Sequence, residues 1–304
     1  MTWRRGLRWL LAALVVGFGI WLVWHSTDDL GAAVRRLNAP AVIVAGVAAV
    51  GGTIAMQRSW LALLDGLLDP ADAPDPGAAS RVFYVSQLGK YLPGSVWPVL
   101  AQMEFGKRWG IGRTVMFAAN MLFMATITAT GIATGALLLP WSSSEGLTRY
   151  WWLLLALIPL AIGLHPRTLP AMLDWLMRRL GREPLGITLR GAGLRRALGW
   201  AAIAWLVMGA HVAILASAFD SPGVGEVAAS IGAIALGWAA GIAFIPAPAG
   251  AGVRDTLIAV GLTPFIGTTP AVTVALASRV LLLIADVALA IVAALRQRAV
   301  SSEV

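Results

Sequence analysis

The sequence predicts an all-α polytopic membrane protein of about eight transmembrane helices with two broken or re-entrant segments. Three observations carry this. Of the 304 residues, 59% are hydrophobic and only 12% charged, and mean hydropathy is +0.79; soluble domains carry about 25% charged residues. Apolar runs of membrane-crossing length recur along the whole chain. Two stretches rich in Pro, Gly and charge, one in each half, interrupt that pattern.

A helix needs about 20 apolar residues to cross the hydrocarbon core. Such spans are predicted at 8–25, 40–63, 114–139, 150–165, 197–219, 227–245 and 271–295, with a shorter apolar piece from Thr256 to Leu262. The first run follows Arg4, Arg5 and Arg8, as a signal peptide would, but no small-residue cleavage site follows it. It reads as a retained span. The stretch around "LPAMLDWLMRRL" is basic and amphipathic, fitting a helix on an anionic leaflet. Lys and Arg gather at 4–8, 107–113, 167–196 and 296–298, whereas the other side keeps only Arg35, Arg36 and Arg149. The positive-inside rule then puts both termini in the cytoplasm of a cytoplasmic (inner) membrane protein. An even number of crossings follows if 81–106 enters and leaves from the cytoplasmic side and the piece after Pro248 completes a crossing. No polar stretch is long enough to fold with its own core, so 1–304 reads as one transmembrane domain.

Several functions are disfavoured at once. The net charge of +8 lies at span ends, which accounts for it by orientation rather than by nucleic-acid binding. There is no Cys, and His25, His165 and His211 are far apart, so no metal or other cofactor is expected. No G-x-x-x-x-G-K-[ST] loop is present.

The two interruptions resemble each other. "YLPGSVWPVLAQMEFGKRWGIG" from Tyr91 and "FIPAPAGAGVRDTLIAVGLTP" from Phe244 both open on aromatic, aliphatic, Pro and small residues, then turn apolar with embedded charge. Proline and glycine leave peptide groups unpaired, which membranes tolerate only beside protein or a water-filled cavity. Paired breaks in two halves, here about 40–165 and 197–295, point to a transporter-type site and allow an inverted repeat. Two ordinary interfacial loops are the alternative.

These segments, with the closing "AVTVALASRVLLLIADVALAIVAAL", resemble the lysylphosphatidylglycerol synthase transmembrane (flippase-like) family from about residue 40 to 295. Gln87, Pro93 and Gly94 match its first motif, Gly250, Gly252 and Arg254 its second, and Arg279 the arginine of its last helix. Two departures matter: "PAPAGAGVRD" replaces a glycine pair with Ala-Pro-Ala, and Asp255 stands where Glu is usual. Family members fused to a soluble synthetase domain attach an amino acid to a lipid. No such domain is seen in this sequence, so that activity is not carried over.

Ionisable groups in spans cost about 2.5–3.5 kcal/mol each on insertion scales and so mark candidate sites. Lys90, Arg254 and Arg279 are expected to bind a lipid phosphate between the two breaks, with Asp255 and Asp286 balancing charge or meeting a cationic or sugar headgroup. Pro93, Gly94, Trp97, Gly250 and Gly252 would shape the site. Arg279 and Asp286, seven apart on one helix face, are too far for a direct i,i+4 pair, and each is expected to find a partner on another segment. Alternatively, Arg279–Asp286 and Arg254–Asp255 are structural ion pairs that only lock the helices together. Glu104 fits an interface beside Lys107 and Arg108. His211 reads as a packed core histidine or a proton relay, and Asn120 and Gln102 as polar links between helices. "GIATG" (131–135) and "GWAAG" (237–241) place small residues four apart, for helix packing within the chain or in a homodimer. The fourteen Trp read mostly as interfacial anchors.

The expected function is that of a non-enzymatic transporter or flippase, moving an anionic, amphipathic phospholipid or polyprenyl-linked lipid. A membrane-embedded lipid-modifying transferase, or an accessory subunit of a cell-envelope enzyme, is the alternative. No nucleophile–base pair favours the enzyme.

Overall fold

The computed structural model describes residues 27–91, 96–243 and 250–301, and among them every regular element is helical, with no strand. The span expected at 8–25 and the turn residues Pro93 and Gly94 lie outside the described residues. The helices are α1 (Thr27–Arg36), α2 (Ala39–Leu67), α3 (Pro76–Gln87), α4 (Trp97–Gly106), α5 (Arg113–Leu138) and α6 (Gly146–Tyr150). They continue with α7 (Leu157–Gly163), α8 (Thr168–Arg179), α9 (Gly191–Ala216), α10 (Val224–Ala243), α11 (Val253–Ile266) and α12 (Thr268–Ser301).

Among the described residues, six stretches are long and apolar enough to cross a bilayer: Ala39–Leu67, Arg113–Trp141, Gly146–Gly163, Gly191–Ala216, Val224–Ile242 and Thr268–Arg296. They coincide with the six later runs read from the sequence. The expected helix at 150–165 is less regular than predicted, since a 3₁₀ stretch at Trp151–Ala156 separates α6 from α7. The radial pattern also fits a membrane protein. Val47 (67% exposed) and Ile158 (69%) face outward, while Gln57, Asn120, His211, Arg254 and Asp286 are buried. This chain is a multi-pass membrane protein.

Glycines draw the central helices together. Antiparallel α2 and α9 meet at Gly66 and Gly193, where a Cβ on Gly193 would lie 2.7 Å from the Gly66 Cα, and Ser59 donates to the Ala197 carbonyl at 2.9 Å. On α5, Gly131 abuts the Ala235 carbonyl and the Trp205 ring, and Gly135 abuts α10 at Leu236. "GIATG" therefore packs within the chain. Helix α8 corrects a simpler expectation: rather than only resting on a leaflet, it buries Leu169, Leu173 and Met177 against α2, α5 and α9. A second apolar stripe, including Trp175 and Leu180, stays exposed.

The two interruptions fold as short antiparallel pairs. Asp75 caps α3 by accepting from the Ala78 amide at 2.9 Å, with Pro76 in the first turn. α3 and α4 have 12 and 10 residues, about 18 and 15 Å, too short to cross a core of about 30 Å. Gln102 on α4 donates to Ser86 Oγ on α3 at 2.8 Å, joining the arms of this hairpin. Near the end of α4, Glu104 sits at the exposed surface with Lys107 at 2.9 Å and Arg113 at 3.3 Å. The other break separates α10 from α11, and the piece expected at Thr256–Leu262 is the middle of a 14-residue helix. α11 runs back along α10: Gly241 faces Gly250, Gly237 faces Arg254, and Ala233 faces Gly261. "GWAAG" thus accommodates α11 rather than a second copy of the chain.

Candidate functional site

Both breaks converge on the middle of α12. Asp286 lies ten residues before Arg296, about 15 Å along the helix, and Arg279 lies seven residues earlier, about 10 Å away. The tip of the α3–α4 hairpin reaches Asp286. Lys90 Nζ is 2.8 Å from Asp286 Oδ2, and the Tyr91 hydroxyl donates to the same oxygen at 2.5 Å. The start of α11 reaches Arg279, whose Nη1 donates to Asp255 Oδ2 at 2.6 Å. Both ion pairs thus lie along the apolar stretch Thr268–Arg296, at Arg279 and Asp286.

Local sequence explains how α11 begins where it does. Gly250 (φ +67°) and Gly252 (φ +82°) occupy the left-handed region that side chains disfavour, so the chain turns sharply into the helix. Asp255, at the third helical position, accepts from the Gly252 amide at 3.0 Å, and acidic charge there suits the helix dipole. One carboxylate thus caps α11 and ties it to α12. The missing Cβ of Gly237 lets the Arg254 backbone approach, since a methyl there would meet the Arg254 carbonyl at 3.1 Å.

Arg279 and Asp286, two helical turns apart, do not pair with each other, and each has its partner on another segment, as their spacing implies. Arg279 pairs with Asp255 and Asp286 with Lys90, each across two segments. Arg254 and Asp255 are only loosely associated, with Nε 3.8 Å from Oδ1, beyond hydrogen-bond reach. Arg254 is 6% exposed, and its buried Nε has no hydrogen-bond partner among the described residues. Its guanidinium lies 5.2 Å from the centroid of the Trp238 ring on α10, and Lys90 Nζ lies 5.5 Å from the same centroid. Desolvated cation–π contacts of this kind contribute about 2 kcal/mol each.

Lys90, Trp238, Arg254 and Asp286 line a cavity of about 140 Å³. Its walls also carry polar Gln87 and Asn120 and apolar Met56, Phe83, Phe123, Met124 and Ile127. A charged group attached to a hydrocarbon stem matches this mixed lining. Among the described residues no group of three or more His, Asp or Glu is placed to hold a metal.

Of the residues singled out from the sequence, Lys90, Gly250, Arg254 and Asp286 line the cavity. Asp255 and Arg279 stand behind them as a pair, and Gly252 starts the helix that carries both Arg254 and Asp255. Trp97 is 47% exposed, packs its Cβ near Gly89 and is not among the cavity residues, so its expected place in the site is not what the structure shows. His211 is fully buried, donates from Nδ1 to the Met208 carbonyl at 3.1 Å, and does not line the cavity. Trp238 and Tyr91 were not anticipated. Tyr91 was visible as the aromatic that opens the first break; Trp238 had no signal beyond a tryptophan between two glycines.

No curated protein matches the chain at a significant level. The family model described as "Lysylphosphatidylglycerol synthase TM region" matches residues 9–290, nearly the whole length and including both breaks. This match, over most of its length, shows that the chain belongs to the lysylphosphatidylglycerol synthase TM region family.

Proposed function

We propose that this membrane protein moves an anionic, amphipathic lipid across the cytoplasmic membrane, seating the lipid's phosphate in the cavity between the two broken segments. One observation carries the reading: Arg254, a buried cation without a hydrogen-bonded counter-charge among the described residues, lines a chamber whose walls carry both charged and apolar side chains. A buried charge held only loosely by its nearest carboxylate is costly, and a ligand phosphate relieves that cost. The α3–α4 hairpin then acts as a re-entrant element, entering halfway and leaving on its own side. Lys90 and Asp255, beside the two breaks, both pair with α12 near mid-helix, where a translocating headgroup would cross the apolar core. The apolar wall takes the root of the lipid tails while the remaining tails stay in the bilayer. The reading needs no bond to be made or broken.

Reconstitution into liposomes carrying headgroup-labelled phosphatidylglycerol tests it. The intact protein should make inner-leaflet label accessible to an outer-leaflet quencher faster than protein-free liposomes do, and folded Arg254→Ala should abolish that excess. Equal rates for the intact protein and empty liposomes, or an unchanged rate in Arg254→Ala, would contradict the proposal. A modified lipid product without translocation would favour a transferase.

A further inference from the structure

We infer that Trp238 is a positioning residue, whose ring holds Lys90 and Arg254 beside one another as a seat for one singly charged anion of the phosphodiester type. The inference deepens the reading of this cavity as an anion seat and rests on it. Two like charges gathered in a low-dielectric interior repel each other. Here both contact one indole, at 5.5 Å and 5.2 Å from its centroid. An aromatic face attracts a cation through its quadrupole without consuming an N–H donor, as a carboxylate would. The ring therefore stabilises both cations and leaves Arg254 donors for a ligand.

The ring is set in place before any ligand arrives. Trp205 meets Trp238 edge to face, with centroids 6.2 Å apart and planes at 69°. Trp205 is fully buried, and its Nε1 donates to Thr130 Oγ1 at 3.0 Å. Beside it, Gly131 supplies the space, for a Cβ there would lie 3.2 Å from the Trp205 ring. A chain of contacts thus runs from "GIATG" on α5 through two tryptophans to the cations. Such preorganisation lowers the ordering cost of binding.

Formal charge limits what the seat accepts. Lys90, Arg254 and Arg279 face two carboxylates, Asp255 and Asp286, which leaves one positive charge in the cluster. Asp286 answers Lys90 and Asp255 answers Arg279, so the surplus falls on Arg254. A monoanion balances the cluster, whereas a dianionic phosphomonoester adds a buried charge with no partner. The source of the monoanion is either a lipid headgroup or a free phosphodiester.

The test installs mono-, di- and trifluorinated tryptophan at position 238 of the full-length protein by nonsense suppression and titrates three probes. These are dihexanoyl phosphatidylglycerol, dimethyl phosphate, and dihexanoyl phosphatidic acid at a pH where it is dianionic. Fluorine drains the ring's quadrupole while hardly altering its shape. The expected result is a stepwise loss of monoanion affinity along the series, reaching about five- to thirty-fold in the most fluorinated form and in Trp238→Leu. Trp238→Phe should recover part of it, and the dianion should bind more weakly than either monoanion. Much tighter binding of the lipid than of dimethyl phosphate identifies the headgroup as the source; similar binding identifies a free phosphodiester, and both support the seat. A flat affinity across the fluorinated series overturns the role of the ring, even where Trp238→Leu weakens binding or fails to fold. Dianion binding equal to monoanion binding overturns the charge limit. Absence of any anion binding by the native protein overturns this inference together with the proposed function, whereas binding independent of the ring overturns this inference alone.

Discussion

Removing the carboxylate of Asp286 should loosen the hairpin tip from α12 by an amount that can be stated beforehand. Asp286 is 3% exposed and takes Lys90 at 2.8 Å together with the Tyr91 hydroxyl. Deleting one partner of a buried pair costs about 3–5 kcal/mol, chiefly because the other charge is left desolvated. Lys90 is 18% exposed and borders the cavity, so it partly rehydrates, and Asp286→Asn should cost about 2–3 kcal/mol. Asparagine keeps the shape and still accepts from Tyr91, which confines the effect to charge. Lys90→Met should cost a similar amount, and the double variant should lose little more than the worse single, a coupling of about 2 kcal/mol. Equilibrium unfolding of all four proteins in mixed micelles, followed by circular dichroism, measures it. A coupling below about 0.5 kcal/mol would show that the two side chains do not form the pair on which the convergence of the tips depends.

Two further substitutions probe the frame. Gly209→Ala should lower stability by about 1–3 kcal/mol or more, read by the same unfolding measurement, because its Cβ would lie 2.2 Å from Ile231 Cγ1 and 2.4 Å from Ile231 Cα, forcing α9 and α10 apart; a stabilised variant would refute that close approach. Asp255→Asn should lose the pairing with Arg279 and weaken the α11 cap, whose own contribution is about 1 kcal/mol. Asp255→Glu should restore much of the stability, and equal losses in both would refute a role for the charge.

Much of the bundle could be read from apolar length alone, since each run that became α2, α5, α9, α10 or α12 is long enough to satisfy its own backbone in lipid. The breaks were equally legible, because Pro, Gly and charge in an apolar context have few other uses at that depth. Which cation met which carboxylate was not. The spacing of Arg279 and Asp286 points each to a partner on another segment, but those partners, Asp255 and Lys90, lie 24 and 196 residues away and depend on how the helices beside the two breaks pack. Trp238 escaped notice for a related reason. A tryptophan in a span reads as an interfacial anchor, and only the packing of α3, α10 and α11 places two cations on its ring. Trp60 and Trp205, both fully buried, broke the same expectation. In α8, the stripe facing lipid and the stripe facing the bundle are both apolar, and hydropathy does not distinguish them.

The most direct measurement is of bound lipid: native mass spectrometry of the protein released from nanodiscs of mixed anionic and neutral phospholipids. The account predicts one tightly retained anionic lipid per chain, lost in Arg254→Ala while that variant keeps its helical content. Retention of neutral and anionic lipids alike, or the same anionic lipid held equally by Arg254→Ala, would contradict it.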